Sequence, residues 1–216
     1  MILCIESATK FCSVALVFPD GSIDKLEAVG EGYIHSEKLG IFSQELLAKN
    51  ADKSLEAVAV AQGPGSYTGL RIGVSFAKGL CLAKNIPLIS FCGLEAMASS
   101  KGYHFSAIDA RKNEVFGKLF LEGKCIRETW AENFDLPHSI WTDLKGETIS
   151  IAGDCSEKVA ENFQNLGILT GIKGAFPSAA LAAPIVLNKF KNTEFEDLAY
   201  FVPKYLKDFV ITAPKK

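Results

Sequence analysis

Residues that build metal and redox sites are scarce in this chain. It has three histidines and two methionines, and none of its six cysteines has a second cysteine three positions away. His35, His104 and His138 have no spacing that would put two imidazoles on one helical turn. The sequence therefore predicts no metal centre and no disulfide framework. Its cysteines are interpreted as small buried side chains in a reducing compartment.

Long apolar runs and an excess of positive charge are also missing. No uncharged stretch reaches the roughly 18 residues of a membrane span, and the apolar start at Met1–Ile5 is too short for a signal peptide. The formal net charge is −2, so the chain has no overall positive field with which to hold a phosphate backbone. We therefore expect a cytoplasmic globular protein that is not bound to a membrane and contacts nucleic acid indirectly.

A glycine-rich turn from Gly63 to Gly73 is the most informative stretch of the sequence. It follows an apolar, strand-like segment and precedes a helical pattern. A Walker loop would need Lys and then Ser or Thr directly after its last glycine, but Leu70 and Arg71 follow Gly69. The glycine spacing also departs from the dinucleotide-binding fingerprint. The turn is interpreted as a structural element that packs a helix close to a sheet, with direct ligand contact as the alternative.

The predicted elements occur twice in the same order. Each half begins with an apolar strand that ends in an acid, Glu6 or Asp109, and continues with two strands, a helix, a strand and a helix. This βββαβα order predicts an α/β protein with two tandem domains, each built on a mixed sheet. The predicted domains are residues 1–101 and 102–216.

Several segments of the sequence resemble the bacterial TsaB family. They are Ile5–Thr9 with Cys12–Leu16, His35–Leu39, the glycine turn, and Asp109–Arg111 with Glu114–Phe116. The resemblance covers most of the chain. It implies two duplicated domains of the actin and sugar-kinase superfamily. It also implies a non-catalytic subunit in the synthesis of threonylcarbamoyladenosine at position 37 of tRNAs.

The resemblance further implies that this chain lacks the metal site of the catalytic paralogue, TsaD. That paralogue carries a His-x-x-x-His motif on a short helix, and the matching stretch here is Gly93-Leu94-Glu95-Ala96-Met97. Glycine has no ligand atom, and a thioether is a poor ligand for hard metals. We therefore expect no catalytic residue, metal or cofactor in this chain. ATP and a divalent metal are expected on partner subunits.

Two helices are predicted to bind the partner, because their apolar stripes include Arg and aromatic residues typical of interface hot spots. The candidates are Leu39, Phe42, Leu46, Tyr67, Arg71, Val74 and Lys78. A role in the core alone is the alternative. The resemblance favours an interface, since in the family these helices pack against the equivalent helices of the partner. The expected partners are a TsaD-type paralogue, a TsaE-type ATPase subunit and, when the chain is alone, a second copy, with tRNA bound indirectly.

The loop after the first strand is a candidate vestigial nucleotide site. Actin-like ATPases place an acid here near the metal and phosphates, and Glu6 matches that acid, with Ser7 and Thr9 as candidate hydrogen-bond donors to a phosphate. The loop has no glycine, so a hairpin capped by its own side chains is the favoured interpretation. One rival function is an ATP-dependent phosphotransferase that uses this loop with a second acid at Asp109. The other, a metallopeptidase, is less favoured without a histidine pair.

Overall fold

The computed structural model describes residues 1–30, 34–172 and 176–207. The strands are β1 (Ile2–Glu6), β2 (Phe11–Val17), β3 (Ile23–Val29), β4 (Ala57–Ala61), β5 (Leu88–Phe91), β6 (Tyr103–Asp109), β7 (Glu114–Leu121), β8 (Lys124–Asn133), β9 (Thr148–Ala152) and β10 (Leu169–Ile172). The helices are α1 (His35–Lys49), α2 (Tyr67–Lys84), α3 (Gly93–Ala96), α4 (Ile140–Asp143), α5 (Ser156–Asn165) and α6 (Ala183–Lys191), with a 3-10 helix at Ala179–Ala182. Within these ranges no helix has the length and apolarity that crossing a bilayer requires.

The first sheet has five strands in the order β3-β2-β1-β4-β5. β1, β2 and β3 form an antiparallel meander in which Ile5 lies opposite Val14 and Val14 lies opposite Leu26. β4 and β5 run parallel to β1, so their connections are helical crossovers, which α1 and α2 supply. Every residue of β1 and β4 is buried, which requires cover on both faces of the sheet.

The second sheet repeats this arrangement with the order β10-β9-β6-β7-β8. β6 pairs antiparallel with β7, where Ala107 lies opposite Gly117, and it pairs parallel with β9. The order β6-β7-β8-α4-β9-α5 matches β1-β2-β3-α1-β4-α2. The predicted fold class, an α/β protein with two tandem mixed sheets in βββαβα order, is therefore confirmed.

Two different parts of the chain cover the two faces of the first sheet. On one face, Leu39 and Leu46 of α1 pack with Val58 and Val60 in a buried core. On the other face, the cover comes from the 3-10 helix and α6, whose small apolar side chains pack against β1, β4 and β5. α3, which follows β5, has four residues and is too short for that task. The division at residue 101 stays a prediction, and residues 179–191 lie on the first sheet.

Pro184 determines where α6 begins. The proline predicts that the apolar segment from Ser178 to Phe190 is either a kinked helix or one with a late start. In the structure, the 3-10 helix Ala179–Ala182 comes first, and Pro184 lies in the first turn of α6, where an N–H has no intrahelical partner. The late start is confirmed. The predicted frayed tail at Ala213–Lys216 lies outside the described residues.

Candidate functional site

The glycine turn packs the start of α2 against the loop that follows β1. A Cβ added at Gly65 would overlap Ala8, and one added at Gly69 would overlap the carbonyl oxygen of Ser7. A Cβ added at Gly73 would overlap the Ser7 hydroxyl. Ser66 caps the helix by accepting the Gly69 N–H at 3.1 Å. These contacts support the interpretation of the turn as a packing element.

The acid at the end of β1 is enclosed. Glu6 is fully buried, and its Oε1 accepts the Ala8 N–H at 2.7 Å. Its Oε2 has no hydrogen-bond partner among the described residues, and a Cβ added at Gly93 would lie 2.7 Å from it. Burial raises the pKa of Glu6 to about 7, and the nearby charge of Asp154 adds to the rise. The carboxyl group is thus held in an apolar setting that favours its neutral form.

Ser7 and Thr9, the other candidates for a vestigial nucleotide site, are buried as well. Ser7 is fully buried against Gly73, and Thr9 is 4% exposed. Thr9 Oγ1 accepts the Phe11 N–H at 3.1 Å, and its carbonyl lies 2.7 Å from His35 Nε2. Glu6 and Thr9 thus accept backbone N–H groups within the loop, whereas the Ser7 hydroxyl has no hydrogen-bond partner among the described residues. A vestigial nucleotide site here stays a prediction.

The acids of the second sheet form local contacts. Asp109, at the end of β6, pairs with Lys158 of α5. Its N–H donates to Asp154 Oδ1 at 2.9 Å. Burial raises the pKa of Asp154, and the backbone N–H of Asp109 opposes that rise. The Asp109 carboxylate is therefore already paired with a lysine of the neighbouring helix α5.

The short helix α3 carries the Gly93–Met97 stretch, which the resemblance matches to the histidine motif of the catalytic paralogue. Gly93 begins the helix against the Glu6 carboxylate, so a larger side chain at this position would displace Glu6. Met97, at the C-cap, is 5% exposed and packs with Leu94, Ile108 and other apolar side chains. In the described part of the chain, no cluster of three His, Cys, Asp or Glu side chains is arranged to hold a metal ion.

The seven candidate partner-binding residues divide into three groups. Leu39, Leu46 and Val74 lie in the core beneath α1 and α2, with at most 5% of their surface exposed. Phe42 is half-buried at the edge of the same core. Those on the outer side of α2 are Tyr67, Arg71 and Lys78, and a later segment of the chain contacts all three. Their role in partner binding stays a prediction.

That later segment, residues 197–207, is here called the strap. Lys78 Nζ donates to the carbonyl oxygens of Ala199 and Phe201, at 3.2 Å each. Arg71 Nε donates to the Tyr205 hydroxyl at 3.2 Å, and the rings of Tyr205 and Tyr67 are 4.7 Å apart. The strap thereby covers the outer side of α2.

An uncovered apolar groove lies on the other side of α2, between it and α1. Its volume is about 460 Å³. The residues that line it are Gly40, Ser43, Gln44, Leu47, Ala48, Phe76 and Leu80. The groove is not among the sites predicted from the sequence, because the strongest apolar stripe of each helix is the one that faces the core. The sequence does contain a signal for the groove. On the neighbouring stripe of α1, Gly40, Gln44 and Ala48 follow one another at intervals of four residues and so lie on one side of the helix.

Comparisons with known proteins agree on a family. Residues 33–215 match the family model described as TsaD, tRNA N6-adenosine threonylcarbamoyltransferase. The Bacillus subtilis tRNA threonylcarbamoyladenosine biosynthesis protein TsaB is 30% identical over 73% of this chain and 72% of its own length. The TsaB proteins of Haemophilus influenzae and Escherichia coli are 30% and 31% identical over 74% and 68% of this chain. The chain spans 66% and 61% of those two proteins.

Solved structures show the same fold. A Pseudomonas aeruginosa protein described by its similarity to the peptidase YeaZ superimposes with a TM-score of 0.79. The alignment covers 95% of this chain and 99% of that one at 21% sequence identity. A second structure, YeaZ from the same organism, gives a TM-score of 0.76 at 21% identity over the same shares of the two chains. Sequence and fold together place this chain in the TsaB family of tRNA threonylcarbamoyladenosine biosynthesis proteins, within the wider family of the TsaD model.

Proposed function

We propose that this chain is a non-catalytic scaffold and activator subunit of the complex that makes threonylcarbamoyladenosine at position 37 of tRNAs. It binds a TsaD-type catalytic paralogue through the groove between α1 and α2. The observation that carries the proposal is this open apolar groove on a member of the TsaB family. Exposed apolar surface of this kind is typical of protein–protein contact.

Two features, in the segments that follow β5 and β1, support a subunit that does not itself transfer the threonylcarbamoyl group. Gly93 and Met97 replace the two histidines of the paralogue, and Gly93 is packed against a buried carboxylate. The Ser7 hydroxyl is buried against Gly73, so a phosphate bound to it would have to displace the packed start of α2, and the Thr9 hydroxyl already accepts the Phe11 N–H. In this proposal the chain has no cofactor of its own, and ATP and the divalent metal belong to partner subunits.

The other partners follow from membership of the same complex. A TsaE-type ATPase subunit joins the assembly, and tRNA is contacted indirectly because the net charge of this chain is −2. When the paralogue is absent, a second copy of the chain uses the same helices, since a paralogue interface resembles a two-fold symmetric one. The complex works in the cytoplasm, and the chain passes from the first actin-like domain to the second near residue 101, with residues 179–191 returning to cover the first sheet.

Charge introduced into the groove tests the proposal. Leu47→Glu and Phe76→Glu place a carboxylate on half-buried groove positions, so association with the paralogue is expected to weaken at least about 100-fold, because an unpaired charge would be buried on binding. Size-exclusion chromatography and calorimetry with the purified paralogue measure the change. Val74 is unsuitable for this purpose because it lies in the core.

The matched control is Leu136→Glu, which alters an apolar residue that is 82% exposed and lies after β8. This variant is expected to bind the paralogue as the unaltered chain does. Equal affinity of the groove variants and the control, with all of them folded by circular dichroism, would refute the proposal. Metal-dependent phosphotransfer by the isolated chain would favour the rival phosphotransferase.

A further inference from the structure

Two glycines in the interiors of α1 and α2 make no packing contact that requires glycine within the described part of the chain. Gly40 of α1 and Gly79 of α2 are exposed, and a Cβ added to either would have no described atom within 4 Å apart from its own helical turn. Neither has the positive φ that requires glycine. Glycine is the least favourable residue in a helix interior after proline. The fold alone therefore gives no reason for glycine at these positions.

Other glycines of α2 make the contrast plain. Gly69 and Gly73 lie against the carbonyl oxygen and the hydroxyl of Ser7, so a side chain at either would collide with β1 and its loop. Gly69 and Gly73 face inward and are explained by packing within the chain. Gly79 faces outward on the same helix and has no such contact.

A second and independent observation lies in the floor of the groove. Ser43 is 3% exposed and lines the groove beside Gly40. Its hydroxyl has no hydrogen-bond partner within residues 1–30, 34–172 and 176–207. Buried hydroxyl groups are nearly always hydrogen-bonded, and one left unpaired destabilises the fold. Ser43 thus offers an unused hydrogen-bonding group at the base of an open groove.

We infer that Gly40 and Ser43, which line the groove, together with Gly79 on the adjoining exposed turn of α2, determine which helix the groove accepts. The two glycines let the backbone of a partner helix approach α1 and α2 more closely than any other residue would. A polar side chain of that helix moves aside the half-buried Phe76 or Leu47 and forms a hydrogen bond with the Ser43 hydroxyl. This inference rests on the proposed function and identifies the specificity determinants of its interface.

The charges on α1 indicate the chemistry of the occupant. The exposed residues of α1 include Glu37 and Glu45, which lie two turns apart along its length, whereas the exposed Lys49 is paired with Asp24 of β3. A helix that lies along α1 is therefore expected to present Lys or Arg to these carboxylates. The occupant is a helix of the catalytic paralogue with small apolar residues, one polar side chain directed at Ser43 and a basic edge.

Alanine substitutions distinguish a role in partner recognition from a role in the fold of this chain. If the glycines serve recognition, alanine should raise the stability of the chain and lower its affinity for the paralogue. Gly40→Ala and Gly79→Ala are expected to raise the melting temperature by about 1–4 °C, since alanine is the better helix former and has room for its methyl group. The same variants should bind the purified paralogue about tenfold more weakly or worse. Ser43→Ala should not lower the melting temperature and should also weaken binding.

The control is Gly171→Ala in β10, because Gly171 also has open space around its Cα and lies in the second sheet. Its affinity for the paralogue is expected to stay within about twofold of the unaltered chain. Binding by calorimetry and melting by circular dichroism are measured on the full chain.

If the three groove variants bind as tightly as the control while the unaltered chain binds the paralogue, this inference is wrong and the proposed function stands. A lower melting temperature for both glycine variants would also overturn the inference, since it would reveal an internal packing role. If the unaltered chain binds neither the paralogue nor itself, the proposed function and the inference fail together.

Discussion

At the scale of single residues, Glu6 couples the stability of the fold to pH. Its pKa is about 7 in the folded chain because the carboxyl group is buried, whereas the ordinary value is 4.5. Between these two values the folded state holds a proton that the unfolded state has released. The free energy of unfolding is therefore expected to fall as pH rises from about 4.5 to about 7, and to stay at the lower level above that range.

Glu6→Gln tests this expectation. The amide keeps an acceptor for the Ala8 N–H and carries no charge, so at pH 8 the variant should be more stable by on the order of 1–3 kcal/mol. Its free energy of unfolding should also fall less between pH 4.5 and 7, with a remaining slope from Asp154, whose pKa burial also raises. Denaturant titrations at a series of pH values measure both effects.

The control for this comparison is Glu45→Gln, which changes an exposed carboxylate on α1. Its pH profile should match that of the unaltered chain. A Glu6→Gln variant whose stability at pH 8 is lower than that of the unaltered chain would show that the buried carboxylate is stabilised by contacts other than those described.

At the scale of elements, the two ends of the strap are held differently. Leu198 and Phe201 pack against the core, whereas the Tyr205 end is held to α2 by an exposed hydrogen bond from Arg71, so the attachment of that end is expected to be local. Tyr205→Ala removes the ring contact with Tyr67 and the hydrogen bond from Arg71. The loss should be about 0.5–1.5 kcal/mol and confined to the strap. Hydrogen exchange at the Lys204 amide, which donates to the Gln62 carbonyl at 2.8 Å, is expected to accelerate about 2- to 10-fold.

Tyr200→Ala is the matched control, because Tyr200 belongs to the same strap and its side chain is 83% exposed. Exchange at the Lys204 amide should not change in this variant. If Tyr205→Ala instead lowers the stability of the whole chain by several kcal/mol, the strap is part of the cooperative core and not a separately held segment.

The elements that the sequence predicts well are those specified by local patterns. The sequence predicts a strand at Leu88–Phe91, which the structure matches at both ends, and helices that start at Ser36 and near Thr68, each one residue after the observed start of α1 or α2. Two contacts fix the turn before α2. Ser66 accepts the N–H of Gly69, three residues along the chain, and Gly65 packs directly against Ala8 of the loop after β1. Apolar periodicity and turn residues carry this information, so the repeated βββαβα order could be recovered from one sequence.

The groove and the strap could not be predicted in the same way. Periodicity locates the apolar stripe of a helix, but it does not say whether that stripe meets the core or a partner. The sequence predicts Leu39, Leu46 and Val74 on an interface, with a role in the core as the alternative, and in the structure all three are buried in the core. Nothing local to residues 197–207 indicates that they cross α2, because the contact joins residues more than 100 positions apart. Only the assembled fold brings them together.

At the scale of the whole molecule, the first sheet depends on residues far along the chain. The 3-10 helix and α6 pack on β1, β4 and β5, so a fragment of residues 1–101 would expose one apolar face of its sheet. This fragment is expected to bind a hydrophobic dye and to show no cooperative melting transition. Joining it to residues 176–207 through a flexible linker should restore the transition.

Calorimetry and dye fluorescence test this prediction on residues 1–101 alone and on the same residues linked to 176–207. The full chain is the reference for a complete fold. A cooperative transition in residues 1–101 alone, near the melting temperature of the full chain, would show that the first domain is self-sufficient and that the later residues contribute little to it.

Because α6 comes late in the chain, its synthesis also determines when the first sheet can complete its folding on the ribosome. β1 to β5 leave the exit tunnel first, yet their sheet can be closed only after residue 191 has followed them, with the whole second sheet made in between. During that interval the nascent chain carries an apolar surface that invites aggregation. A cell that makes this protein is thus expected to need a chaperone for the growing chain, and slowed translation between codons 102 and 178 should lower its soluble yield.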